Sequence, residues 1–583
     1  MKEIYGIPVS AGIAIGTVWI YDSQTVQLPH YTIPPEKVAS EEKRFEKAVA
    51  ASKKDLEKIR NTLTNQSGSM ESLMIDSHLL MLEDPELRVR ILNGIRDGKN
   101  AEWALGEASD FFIQMLNQSG DQYLKERALD ISDITKRLLR KMNSKGSAED
   151  QNPLAFLPDD CILVSRNLLP SDTLAMDKRK VKGFVTEMGG RTSHTAILAR
   201  AFEIPAVVGV RGVLKNVSNG MKVIVDGNRG VLIPNPTPER EEMYRHYMAE
   251  WQLKESQLLT LNHLPAETRD GKRIALMANI ELPEEVDSAV SHGADGIGLY
   301  RSEFLLMNSR VEDNEDEQFQ AYRFVLDRMN NKPVTIRTFD MGGDKVVRSV
   351  STVAETESNP ILGWRSIRFC LDNPVLFKTQ LRALYRAGFQ RNLKVMFPMI
   401  SGTQELLRVY DVVKEVRAEL TAENIPFNAE MPIGIMIEVP SAALTSDILA
   451  KHCDFFSIGT NDLIQYTIAV DRGNERIAPL YEALHPGVLR MLRIIIDNAH
   501  KEGLMVGMCG EMAGDPLCTV VLLGLGLDSF SMSSAVIPEV KKMIRSVTIA
   551  EAQILVGRIT ELETSAEVRQ YVEEWMRDRF GEK

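Results

Sequence analysis

Residues Gly189-Gly190-Arg191-Thr192-Ser193-His194-Thr195 set a histidine at a glycine turn, directly ahead of Ala196-Ile197-Leu198-Ala199-Arg200, whose apolar positions have helical spacing. Glycine lets a backbone approach a bound group closely. In the first turn of a helix, free N–H groups and the positive end of the dipole favour an anion, so a phosphoryl group on the His194 imidazole would be stabilised as it forms. A histidine that only caps or packs against the turn accounts for this segment equally well. The residues that separate the two readings lie in the far half of the chain.

There, short apolar runs at 273–280, 296–300, 334–339, 394–399, 433–437, 455–458, 504–508 and 529–532 alternate with helical segments. Eight such runs over about 320 residues fit a (β/α)8 barrel with insertions. A barrel carries its chemistry at the C-terminal ends of its strands. In order, those ends offer Arg301, Arg337, Glu438, Asn461 with Asp462, and Cys509. Two arginines on neighbouring strands can clamp a phosphate through forked, charge-assisted hydrogen bonds. Glu438 and Asp462 supply two carboxylates to a hard cation, and magnesium commonly takes one or two and fills its octahedron with water and substrate oxygens.

Each group also has a plainer explanation. A lone arginine or glutamate after a strand is ordinarily a surface ion-pair partner, and a cysteine is ordinarily a buried inert thiol. Several such groups at matching strand ends are harder to dismiss. Cys509 sits in Gly507-Met508-Cys509-Gly510-Glu511 at the expected barrel mouth, where a thiol can deliver a proton to carbon. Lys345 and Arg365 add positive charge or serve in salt bridges, and the sequence leaves both open.

The elements that must position these groups follow from texture. Residues 4–20 read as short strands punctuated by glycines, 35–142 as several helices broken near 65–68, 83–85 and 97–98, and 161–226 as renewed β-rich sequence that the first strands complete. Pro234-Asn235-Pro236-Thr237-Pro238 stops this unit, and a charged helix from Glu239 to about Leu261 follows, a strut of roughly 30 Å or more at 1.5 Å per residue. At 583 residues the chain exceeds what one core can serve. Five scattered cysteines without a CxxC pair argue against a disulfide framework and a zinc site. The net charge of −12 opposes nonspecific nucleic-acid binding and suits a basic protein partner. With no apolar run long enough for a membrane span and no secretory pattern at the start, a cytoplasmic location is expected.

Together these motifs resemble the enzyme I family of bacterial phosphoenolpyruvate-dependent sugar phosphotransferase systems. The resemblance runs from Gly6-Ile7-Pro8-Val9-Ser10-Ala11-Gly12 to the last barrel strand. It is carried by the His194 motif, Gly298-Leu299-Tyr300-Arg301-Ser302-Glu303-Phe304, Arg337-Thr338-Phe339-Asp340-Met341-Gly342-Gly343-Asp344-Lys345, Ile437-Glu438-Val439-Pro440, Gly459-Thr460-Asn461-Asp462-Leu463 with Asp471-Arg472, and Cys509-Gly510-Glu511-Met512-Ala513.

The resemblance implies a multidomain α/β protein: a phosphohistidine α/β domain (1–34 with 143–235), an inserted helical bundle that docks the carrier protein HPr (35–142), a linker helix (236–264) and a barrel that binds phosphoenolpyruvate (265–583). It implies that His194 accepts the phosphoryl group through Nε2 with Thr173 at the other ring nitrogen, and that Arg301 and Arg337 grip the phosphate. Arg472 and Asn461 would bind the rest of the substrate, Glu438 and Asp462 would hold Mg2+, and Cys509 would protonate the enolpyruvate. The acidic Glu83-Asp84 region would help attract HPr, and the barrels would form a homodimer. A hinge near the Pro-rich segment or the strut would bring His194 to the metal site and release it toward its partner. His78, on an expected helix, fits packing or partner contact better than chemistry. Pyruvate phosphate dikinase and phosphoenolpyruvate synthase share the swivelling histidine and barrel but need an ATP-binding domain, for which the stretch before the histidine leaves no room. A regulatory relay that has lost catalysis is disfavoured by the full set of strand-end groups.

Overall fold

The computed structural model describes the chain except residues 1–2, 22–28, 64–77, 80, 118–121, 144–153, 155–156, 169–179, 191–195, 197–198, 200–203, 308–313, 342–358, 473, 475 and 582–583. The chain forms two compact units, Met1–Glu255 and Ser256–Lys583.

The first unit is built on a mixed sheet whose strands come from two distant stretches: β1 (Ile4–Tyr5), β2 (Ile7–Ser10) and β3 (Ile13–Tyr21), then β4 (Cys161–Ser165), β5 (Val181–Thr186), β6 (Ala206–Val208), β7 (Lys222–Asp226) and β8 (Val231–Pro234). Their order is β1-β8-β7-β3-β4-β5-β6-β2, with β3, β4, β5 and β6 parallel at the centre. β4 is buried along its whole length, as a strand covered on both faces must be. Cys161 and Leu163 face one core with Phe184, Ala196 and Ala199, while Ile162 and Val164 face another with Val185, Val207 and Val223.

Between β3 and β4 run the helices α1 (Val38–Leu63), α2 (Pro85–Arg96), α3 (Ala101–Asn117) and α4 (Gln122–Asn143). They share a core of their own that includes Phe45, Leu56, Ile91, Ile95, Leu105 and Leu138. The breaks follow local chemistry. Asp84 caps α2 by accepting from the Leu87 N–H at 2.8 Å, with Pro85 at its first turn, and Gly98 turns the chain at φ 89°. His78 is buried, its Nε2 3.8 Å from the Asp133 carboxylate.

The helix α5 (Pro238–Leu259) begins where the proline-rich stop ends. Its first turns are more than a strut. Tyr244 is buried against Ile224, Val231 and Ile233, and Glu241 pairs with Lys222 at 2.7 Å, so the charged sequence hides a docked start.

The second unit is a closed, all-parallel barrel: β9 (Ala275–Ile280), β10 (Gly296–Arg301), β11 (Val334–Arg337), β12 (Leu393–Phe397), β13 (Ile433–Ile437), β14 (Phe455–Ile458), β15 (Met505–Met508) and β16 (Ser529–Met532), which returns to β9. One device recurs at its N-terminal rim. Asp295, Asp454 and Asp528, each just before a strand, accept from the N–H of Leu276, Ile433 and Val506 on the preceding strand at 2.9, 2.7 and 3.0 Å. A Cβ on Gly434 would stand 2.4 Å from the Phe455 ring, so glycine there makes room for an aromatic filler. The five cysteines are free thiols. Among the described residues no helix is long and apolar enough to cross a membrane.

Candidate active site at the barrel mouth

Parallel strands deliver all their C-terminal ends to one rim, and the ladder sets the spacing of what they carry. Arg301 and Arg337 are register partners across β10 and β11. Each guanidinium is met by a carboxylate from the same rim. Arg301 pairs with Glu281, which directly follows β9. Arg337 pairs with Glu303 and, at 3.0 Å, with Asp340. Arg337 is buried, which works against its charge, but Glu303, Asp340 and Glu438 outweigh the burial and hold it firmly protonated. Its Nε has no hydrogen-bond partner among the described residues.

Arg365 spans two carboxylates, reaching Asp340 at 3.0 Å and Asp462 at 3.1 Å. The Ser366 hydroxyl donates to Asp340 as well. This gives Arg365 the salt-bridge role left open by the sequence, within the site itself.

Glu438 follows β13 and is almost wholly buried. Burial first, then the charges of Asp462 and Asp340, push its carboxyl up to about 8, with Arg337 and Arg365 pulling the other way. Oε1 accepts from the Met399 N–H at 2.6 Å. Asp462 lies in the first turn of the helix Thr460–Ile468, whose N-cap is Gly459. Crowded carboxylates that disfavour one another's charge are what a divalent cation relieves. Among the described residues no group of three or more His, Cys, Asp or Glu converges into a metal cage. Magnesium does not require one, and Glu438 with Asp462 fits its sparse use of protein ligands.

Asn461 and Arg472 meet at Glu511. The Asn461 Oδ1 accepts from the Glu511 N–H at 2.9 Å, and the Arg472 guanidinium stands 3.7 Å from the Glu511 carboxylate. Arg472 is the most open of the four arginines. Cys509 is buried in a layer with Leu299, Met396 and Met436. Its sulfur accepts from the Ser457 hydroxyl at 3.3 Å. Burial raises the thiol's pKa, against the pull of Ser457 and Arg337, so the group stays protonated near neutrality.

The barrel therefore brings the strand-end residues Arg301, Arg337, Glu438, Asn461, Asp462 and Cys509 to one rim, and Arg472, singled out by the resemblance, joins them through Glu511. The strand-end rule overlooked Glu281, Glu303, Asp340, Glu511, Ser457 and Met399. Glu281 occupies the same position after β9 that Glu438 occupies after β13, and Glu303, Asp340 and Glu511 lie inside the motifs quoted above, so the signal was present for four of them. Thr173, His194 and Lys345 lie outside the described residues. Beside the histidine, Gly189 holds φ 112°, a conformation that calls for glycine, and Ala196 and Ala199 are helical and buried. In the helical insert, Glu83 is paired with Lys53 and Asp84 is engaged in capping α2, so neither carboxylate is uncommitted.

Comparison with known proteins completes the picture. Residues 5–127, 157–230 and 255–549 match, in turn, the N-terminal, mobile and PEP-binding domain models of PEP-utilising enzymes. Fold and site thus define a PEP-utilising enzyme. The phosphoenolpyruvate-protein phosphotransferase of Bacillus sp. (strain S) is 43% identical over 572 residues, covering 98% of each chain. That of Bacillus subtilis (strain 168) is 41% identical over 98% of this chain and 100% of its own, and that of Haemophilus influenzae 41% over 98% and 99%. The chain belongs to the phosphoenolpyruvate-protein phosphotransferase family.

Proposed function

We propose that the protein takes the phosphoryl group of phosphoenolpyruvate onto Nε2 of His194, releases pyruvate, and passes the group to a histidine of the carrier protein HPr, the first step of sugar uptake by a phosphotransferase system. The observation that carries this reading is the gathering of Arg301, Arg337, Glu438, Asp462 and Cys509 on one barrel rim.

Arg301 and Arg337 orient the phosphate and offset its charge, which serves in-line displacement. Asn461 and Arg472 hold the remainder of the substrate, including its carboxylate. Glu438 and Asp462 hold Mg2+, which when bound neutralises charge on the transferring group and the enolate. The P–O bond to the enol oxygen breaks as the P–N bond to His194 forms. The enolate left behind takes a proton at carbon from the Cys509 thiol, giving pyruvate, and the thiolate is reprotonated from water. The buried, protonated state of Cys509 suits a donor and not a nucleophile. Splitting delivery into two transfers through a covalent intermediate lets one imidazole serve two partners. The helical insert, with a core separate from the sheet, supplies the surface for HPr.

Mixing the protein with radiolabelled phosphoenolpyruvate and Mg2+, then adding HPr, tests the sequence of transfers. Label should enter the enzyme with stoichiometric pyruvate and leave it for HPr. Pyruvate release without labelling of either protein would refute the reading.

A further inference from the structure

Among the described residues of the barrel unit, positive-φ backbone outside glycine falls into two groups. Asn330, Asn331, Gln390 and Asn424 lie in loops leading into β11, β12 and β13, and three of the four are asparagine, which tolerates that conformation. Ser366, Met399 and Ala469, at φ 54°, 55° and 55°, lie instead beyond the C-terminal ends of β11, β12 and β14. Ala469 is the C-cap that ends the helix Thr460–Ile468, where left-handed backbone is common, and Ser366 is the N-cap of the helix Ile367–Asp372, whereas the methionine at 399 carries no preference for a positive φ.

The Met399 N–H donates to Oε1 of Glu438, at 2.6 Å and buried. The second oxygen, Oε2, stands 2.7 Å from where a Cβ on Gly459 would be. Gly459 has an ordinary φ of −88°, so glycine at that position serves space and not backbone freedom. It is the N-cap of the helix that carries Asp462. The Met399 side chain is buried too, with its sulfur 4.0 Å from the hydroxyl of Tyr466 on that same helix.

We propose that Met399 and Gly459 are positioning residues for the cation-binding carboxylate. The Met399 N–H occupies Oε1, and the absent side chain leaves room for Oε2 beside the helix bearing Asp462, so Glu438 presents one defined oxygen to the ion. The inference rests on the assignment of Glu438 and Asp462 as cation ligands.

The test is Mn2+ affinity of the full-length protein, read from the paramagnetic resonance of the free ion, alongside the melting temperature. Met399→Val and Gly459→Ala should each weaken Mn2+ binding roughly tenfold or more, the usual effect of losing a group that orients a ligand. Met399→Gly tolerates the left-handed backbone and keeps the N–H, so its affinity should stay within about twofold of the parent although loss of the buried side chain lowers its melting temperature. Affinity loss in Met399→Gly equal to that in Met399→Val would overturn the role of Met399, because affinity would then follow packing. Parental affinity in Met399→Val or in Gly459→Ala would overturn the role of the residue concerned. Glu438→Gln separates this from the underlying assignment: it should lose Mn2+ binding, and unchanged binding there would remove the cation site itself.

Discussion

The Ser457 hydroxyl lies 3.3 Å from the sulfur of Cys509, and both side chains are buried. Burial raises the thiol's pKa while Ser457 and Arg337 lower it. Removing the hydroxyl in Ser457→Ala therefore shifts the pH midpoint of Cys509 alkylation upward, since the thiolate loses a donor. The same variant should form pyruvate more slowly while keeping its affinity for phosphoenolpyruvate. An alkylation profile that does not move would show that the contact leaves the thiol's chemistry untouched.

Arg337 is buried between Glu303 and Asp340, and breaking a buried pair from one side leaves a charge without compensation. Arg337→Met should cost about 3–5 kcal/mol of stability, read by denaturant unfolding of the barrel. Adding Glu303→Gln should restore part of that loss, a non-additivity expected of groups in contact. Strict additivity would mean that the two side chains do not share an energetic unit.

A cation bound by Glu438 and Asp462 would stabilise only the folded barrel, so Mg2+ should raise the melting temperature of the parent protein with the logarithm of its concentration once that exceeds the dissociation constant. Asp462→Asn should abolish that rise. Its own melting temperature should also fall, because the pair with Arg365 at 3.1 Å is lost. A Mg2+-dependent rise that survives the substitution would place the ion elsewhere.

Gly434 has no space for a side chain, because a Cβ would stand 2.4 Å from the Phe455 ring. Gly434→Ala should cost about 1–3 kcal/mol through overpacking. Phe455→Leu in the same chain should recover part of it. Equal stability of Gly434→Ala and parent would mean that the ring moves aside freely.

The barrel was legible because each strand is a short apolar run closed by a polar or special residue. β13, Ile433–Ile437, coincides with its apolar run, bounded by Pro432 and Glu438. The apolar run at 334–339 exceeds β11 by two residues. Thr338 and Phe339 are apolar enough in texture to extend it, but the strand ends at Arg337, and the chain bends so that Asp340 returns to the guanidinium. Strand-end groups were legible for the same reason. Their partners were less so, since the pairing of Glu281 with Arg301 depends on which strands are neighbours around the closure. The Met399 conformation leaves no trace in residue type, because methionine carries no preference for it. In α5 the density of charge concealed Tyr244, a buried side chain that anchors the helix start.

The central claim is that one imidazole carries the phosphoryl group. Labelling the protein with radioactive phosphoenolpyruvate, testing the acid lability of the label and mapping it to a residue addresses that claim directly. The account predicts an acid-labile, base-stable label on His194 that is absent from His194→Ala. Undiminished labelling of His194→Ala, or a label that survives acid, would contradict it.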